Sequence, residues 1–181
     1  MAFLTRLIDQ VQADHKIDAA RVYVVGVSAG AMMAYRMGCE AADRIGGVGS
    51  VAGAMVLDTC QPSRPVSAIE IHGTDDGLVP YEGGRTAGGA TQPSPPTPAV
   101  TQRWAELNGC PQPAVEQAQP PVTTATWAGC AEGTGVKLIT IAGGGHTWFA
   151  TSFGPADGAV DVSTELWSFF SGLAGRYGPS N

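Results

Sequence analysis

The stretch from Val22 to Tyr35, VYVVGVSAGAMMAY, constrains the fold more than any other part of this chain. An apolar, β-branched run enters Gly26-Val27-Ser28-Ala29-Gly30 and passes directly into helix-forming residues, so a strand must become a helix around one serine. A turn that sharp strains its central residue, and it needs small neighbours because larger ones would collide with the adjoining strand and helix. The serine is thereby held out over the sheet edge. There it stands at the amino end of a helix, whose free N–H groups and positive dipole end stabilise developing negative charge. A bare G-x-S-x-G also occurs as a plain tight turn; the strand before it and the helix after it favour a nucleophile.

The rest of the chain reads as a layered α/β domain. Phe3, Leu4, Leu7, Ile8 and Val11 recur at helical spacing and predict an amphipathic first helix. The nearly continuous apolar run ARVYVVGV suits a parallel strand buried on both faces. Helix is expected from Ala29 to about Ala42, and GGVGSVAGAM and VSAIEIHG are two further short strands closed by glycine. The Gly- and Pro-rich stretch GGRTAGGATQPSPPTP is a surface loop, ending where Thr97 caps a helix that has Pro98 in its first turn and Trp104 and Leu107 on one face. VTTATWAGC and VKLITIAGGG flank AEGTG as two strands joined by a glycine-bearing turn. A last helix, STELWSFFSGLAG, is expected to start at a Ser163 cap and to bury Leu166, Trp167, Phe170 and Leu173. At 181 residues the chain holds one core, so residues 1–181 are read as a single domain.

Charge and cysteine content exclude several functions. A net charge of −6, with ten scattered Lys and Arg, argues against a nucleic-acid binder. No run approaches the roughly 18 apolar residues of a membrane helix, and the opening residues lack a signal-peptide cleavage site, so a soluble chain without its own secretion signal is expected. Cys39, Cys60, Cys110 and Cys130 lack metal-type spacing, and the histidines do not flank them; a zinc site is not expected, and no metal or organic cofactor is required. Four cysteines allow three connectivities, of which Cys39 with Cys60 and Cys110 with Cys130 close the shortest loops. Their even number fits an oxidising compartment, and buried free thiols are the plainer reading.

A serine hydroxyl is a weak nucleophile at neutral pH and needs a general base backed by a carboxylate. In layered α/β hydrolases the order along the chain is serine, acid, histidine. Only His146 combines that order with a suitable loop: it follows the strand VKLITIA within a glycine run that lets the ring reach over the sheet edge. His15 precedes the serine, and His72, at the end of AIEIHG, is expected to order the turn that follows. For the acid, IHGTDDGLVPY offers Asp75 and Asp76, after the strand expected to lie between those of the serine and the histidine.

Taken together, RVYVVGVSAGAMMAYRMGCEAADR, IHGTDDGLVPYEGG, WAELNGC, TWAGC and GGGHTW resemble the esterase family of α/β-hydrolase fold that includes extracellular poly(3-hydroxybutyrate) depolymerases and bacterial feruloyl esterases. The resemblance runs from the first helix almost to the C-terminus. It implies Ser28 as nucleophile, His146 as base, and Asp76, fifth in the H-G-x-x-D pattern, as acid. It implies the same cysteine pairs as the short-loop argument, and a secreted or periplasmic location. Relatives carry a further half-domain with the first strands of a mostly parallel sheet and an H-G loop that donates a second oxyanion N–H. Here the chain opens inside the helix before the nucleophile strand. Ala29 N–H is then the identifiable oxyanion donor, and the nucleophile strand becomes a sheet edge, which leaves open a fragment, a mis-called start, or a form completed by a partner chain or a homo-oligomer.

The resulting expectation is a serine carboxylesterase acting on small-molecule or polymeric esters, whether polyhydroxyalkanoate, feruloyl or related short-chain esters. Trp148, two residues past the base, lines the substrate pocket or packs in the core. The rivals are a non-catalytic hydrolase-fold fragment that needs an N-terminal half or a partner chain, and a peptidase of the same fold using the same three residues.

Overall fold

The computed structural model of the chain describes residues 1–57, 59–87, 93–112, 114–149 and 159–173. The elements run α1 (Ala2–Asp14), β1 (Tyr23–Val27), α2 (Ala29–Glu40), β2 (Gly47–Val51), β3 (Ser67–Gly73), α3 (Thr97–Leu107), β4 (Val115–Gln119), β5 (Val122–Trp127), β6 (Val136–Ile141) and α4 (Val162–Leu173). They form one six-stranded sheet of order β1-β2-β3-β6-β5-β4. The β1, β2, β3 and β6 strands are mutually parallel, while β5 and β4 continue the sheet antiparallel. A mostly parallel sheet flanked by helices is the architecture the alternation of patterns implied, with β3 between the strands of the serine and of His146.

Side chains alternate across the strands, so each sheet face carries its own core. On one face α2 and α3 bring Met37, Tyr35 and Trp104 against Val48, Ala68 and Leu138. On the other, α4 lays Leu166 and Phe170 over Val51, Ile69, Ile71 and Ile139. Buried polar groups secure the first layer. The Trp104 indole N–H donates to Val66 O (2.7 Å), and the Asn108 side chain takes the Val66 N–H (3.1 Å) and returns a bond to its carbonyl (2.8 Å). Two disulfides are in the short-loop pairing: Cys39–Cys60 ties the end of α2 to the β2–β3 loop, and Cys110–Cys130 ties the loop after α3 to the β5–β6 connection.

Several local expectations give way to tertiary context. The β1 strand is not buried on both faces: it is the sheet edge, with Val25 and Val27 41% and 39% exposed. The α1 helix forms but buries no residue; Leu4 and Ile8 rest partly on the core, while Phe3 and Leu7 stay exposed. In α4, Leu166, Phe170 and Leu173 are buried but Trp167 is 63% exposed. The Asp161 carboxylate, not Ser163, accepts the Thr164 amide at the start of α4. Thr97 is likewise no cap: it is the first residue of α3, and its hydroxyl turns inward to His72, 3.3 Å away. The polar, fully exposed β4, VEQAQ, was not legible as a strand, because only its pairing with β5 makes it one.

Candidate active site

Ser28 follows the last residue of β1 and caps α2 with φ 55° and ψ −121°, a left-handed conformation that an L-residue adopts only when its surroundings impose it. Its amide donates to Val51 O of β2 (2.9 Å) and its carbonyl accepts from Met32 N (3.1 Å), so the turn is pinned to sheet and helix at once. Gly26 makes this possible: a Cβ there would lie 2.2 Å from Gly30 C and 2.8 Å from Ala31 N. Gly30 differs from expectation. A Cβ at that position meets nothing within 4 Å, so crowding by the described residues does not require glycine there. Ala29, exposed at the first position of α2, presents one of the amides that a helix start leaves without a partner.

Asp76 and His146 sit on neighbouring loops that are joined backbone to backbone. At the end of β3, a Cβ on Gly73 would fall 2.1 Å from Gly144 O, so the two loops meet only because neither carries a side chain there. Asp75 N donates to Gly144 O (2.9 Å) and Gly143 N to the Thr74 hydroxyl (2.9 Å). Of the glycine run before His146, Gly144 serves this close approach, while a Cβ at Gly143 or Gly145 would meet nothing within 4 Å among the described residues. In this frame His146 Nδ1 lies 2.8 Å from Asp76 Oδ2, while Asp76 Oδ1 accepts the amides of Leu78 (2.9 Å) and Val79 (2.8 Å). Burial disfavours the Asp76 carboxylate, but bonds from His72, Val79, His146 and Leu78 outweigh it and lower its pKa to about 2. Asp75 instead is exposed and accepts the Thr74 hydroxyl.

Because β1, β3 and β6 are parallel, Ser28, Asp76 and His146 all emerge at the carboxyl edge of the sheet. The structure joins Asp76 to His146; among the described residues it forms no hydrogen bond from the Ser28 hydroxyl to the ring. Trp148 is half-buried against the α4-side core. His15 is exposed at the end of α1. His72 does order the turn after it, through Nε2 to Val79 O at 2.9 Å.

Two residues of the site's support, Glu70 and Tyr35, escaped sequence reasoning. Glu70 is buried in the middle of β3, bonded by the Tyr35 hydroxyl (2.8 Å) and by His72 Nδ1 (2.9 Å). The signal was present in Ile69-Glu70-Ile71-His72: a period of two puts Glu70 and His72 on one face of a strand otherwise fit for a core. Among the described residues no group of three or more His, Cys, Asp or Glu could hold a metal ion, and no helix is long and apolar enough to cross a membrane.

Comparison with known proteins bears on the family and the fold. The sequence profile of the phospholipase/carboxylesterase family matches residues 1–94. "Putative esterase NocK" of Nocardia uniformis subsp. tsuyamanensis is 31% identical over 168 residues, covering 83% of this chain and 49% of that protein. Feruloyl esterase B of Piromyces equi is 30% identical, covering 80% of this chain and 28% of that protein. The chain therefore spans half or less of the length of these relatives. The solved structure of an acetyl xylan esterase from Aspergillus awamori superposes with a TM-score of 0.62 at 14% identity, over 94% of this chain and 66% of that one, which establishes a shared fold. On the match of its first 94 residues, more than half its length, and on its sheet and helix order, the chain belongs to the phospholipase/carboxylesterase family of α/β-hydrolase fold.

Proposed function

We propose that residues 1–181 are one catalytic domain of a serine carboxylesterase in which Ser28 is the nucleophile, His146 the base and Asp76 the acid. The observation that carries this reading is the Asp76–His146 hydrogen bond on the same sheet edge as a serine strained at the start of a helix. With Nδ1 committed to Asp76, the His146 ring offers Nε2 as the base. Ser28 Oγ attacks the ester carbonyl as Nε2 takes its proton, and Asp76 stabilises the imidazolium formed. Ala29 N–H holds the tetrahedral oxyanion, with the positive end of α2 behind it. The imidazolium then protonates the leaving alcohol; water, giving its proton to Nε2, attacks the acyl-enzyme, and the imidazolium returns that proton to Ser28 Oγ as the carboxylic acid is released.

The hydroxyl and the ring need to approach one another on substrate binding, since the bond between nucleophile and base in such sites often tightens only in the complex. Trp148 lines the acyl side of the site. Feruloyl and acetylxylan esterases among the relatives support feruloyl, acetyl or related short-chain esters as substrates. Two disulfides support a secreted or periplasmic setting. The open β1 edge favours a second reading, in which a partner segment or a second copy must cover that strand before the site turns over.

The test is Ser28→Ala. It should abolish hydrolysis of p-nitrophenyl esters and labelling by a fluorophosphonate probe, and retained hydrolysis refutes the assignment. A wild-type chain that the probe does not label supports the second reading instead.

A further inference from the structure

The His72 ring is fully buried, yet both of its nitrogens face acceptors. Nε2 lies 2.9 Å from Val79 O and 3.3 Å from Asp76 Oδ2, and Nδ1 lies 2.9 Å from Glu70 Oε1. A carbonyl cannot donate, so Nε2 must carry hydrogen, and a carboxylate at Nδ1 demands a second. Glu70 is itself held on its other oxygen by the Tyr35 hydroxyl, which comes from α2, the helix that Ser28 begins. A continuous line thus runs from the nucleophile's helix through Tyr35, Glu70, His72 and Asp76 to His146.

We propose that His72 is a permanent imidazolium positioning residue which, braced by Glu70, fixes the Asp76 carboxylate toward His146; this rests on the serine-esterase reading above. The surroundings of the ring supply the charge balance. Glu70 faces it along β3, Asp76 from the following turn, and the Tyr81 ring stands edge-on at 5.8 Å with its hydroxyl bonded to Thr140 of β6. Helix α3 contributes the neutral Thr97 hydroxyl. Two carboxylates thus enclose one cation. Burial works against that cation, but the bonds to Asp76 and Glu70, the charge of Glu70 and the Val79 carbonyl prevail, raising its pKa to about 10. The arrangement holds Asp76 Oδ2 between a hydrogen bond to His146 and an ion-pair contact with His72 at 3.3 Å, and gives Oδ1 two amides, which together turn the carboxylate toward His146.

The charge of His72 also sets how much negative field reaches His146. In a His72→Gln variant the cation beside Asp76 is gone, so the His146 imidazolium is favoured and the base is lost at higher pH. With p-nitrophenyl acetate the acid limb of the kcat/KM profile should move up by about one pH unit, with kcat reduced about tenfold and KM little changed. Imidazole-nitrogen NMR of the wild-type chain at pH 8.5 should show both His72 nitrogens protonated, and Glu70→Gln should bring the ring into an observable titration below that pH.

An unshifted acid limb in a folded His72→Gln variant, or one bare His72 nitrogen in the wild-type spectrum, overturns the proposal; the second readout stands even where the variant does not fold. Fluorophosphonate labelling of the wild type separates the two levels. If Ser28 does not label, the esterase reading fails while the spectrum still decides the state of His72.

Discussion

The two glycines of the G-x-S-x-G turn should respond oppositely to the same methyl group. In Gly26→Ala the new Cβ falls 2.2 Å from Gly30 C and 2.4 Å from Gly30 O, both backbone atoms, whereas ordinary contact begins near 3.4 Å. The first turn of α2 must therefore withdraw by about 1 Å, the shortfall between those distances, because no side chain can rotate out of the way. Overpacking of this kind costs about 1–3 kcal/mol, a fall of about 3–10 °C in Tm for a chain of this size. The same displacement moves the Ser28 hydroxyl and the Ala29 amide together, and a misplacement of about 1 Å lowers kcat about a hundredfold. Gly30→Ala meets open space within a helix and exchanges the most flexible residue for the best helix former, so it should gain about 0.5–1 kcal/mol. Thermal unfolding and p-nitrophenyl acetate turnover of both variants make the comparison. A Gly26→Ala chain as stable and as active as wild type, or a Gly30→Ala chain destabilised as much as Gly26→Ala, would refute the reasoning.

Stability should fall on both sides of a plateau in pH. The Asp76 pKa is depressed, so its contribution is present above the unfolded value near 3.9 and is lost as pH falls toward about 2, on the order of 2 kcal/mol. The His72 pKa is raised, so its contribution is complete below about 6.5 and disappears as pH rises through about 10; both shifts draw on one shared ion pair and are not summed. Chemical denaturation at stepped pH values checks both arms, and an alkaline arm unchanged in His72→Gln would assign it to other groups. Removing the Cys39–Cys60 bridge by a double serine substitution releases a loop with a sequence separation of 21 and should cost about 3 kcal/mol in urea unfolding. A loss under about 1 kcal/mol would show that the unfolded chain is already restricted there.

Much of the candidate site is legible in the sequence, because its parts sit in short motifs whose local chemistry is self-contained. Ser28 stands between glycines where a nearly continuous apolar run gives way to a helical pattern, and His146 and Asp76 each follow an apolar strand. What escaped were features set by neighbours distant in the chain. Trp167 lies in a helical pattern that matches Leu166 and Phe170, yet its side of α4 meets no opposing layer among the described residues and is exposed. Val25 and Val27 look like core residues, but among the described residues β1 has a strand on one side only. The exposed β4 carries no apolar alternation at all, and is a strand only because β5 offers it an edge.

The sequence by itself determined the alternation of strands and helices, the strained serine turn and the order of serine, acid and histidine, since these depend on backbone sterics and periodicity over a few residues. The resemblance already singled out Asp76 of the two adjacent aspartates; only the tertiary structure decided that a glutamate and a histidine are buried together behind it. Parallel pairing of β3 with β6 brings Gly73 against Gly144 and so delivers His146 to Asp76. The packing of α2 and α3 over β3 places Tyr35 and Thr97 where Glu70 and His72 can bond them. Contacts of that kind join residues 25 to 70 positions apart, a range over which no local pattern carries information.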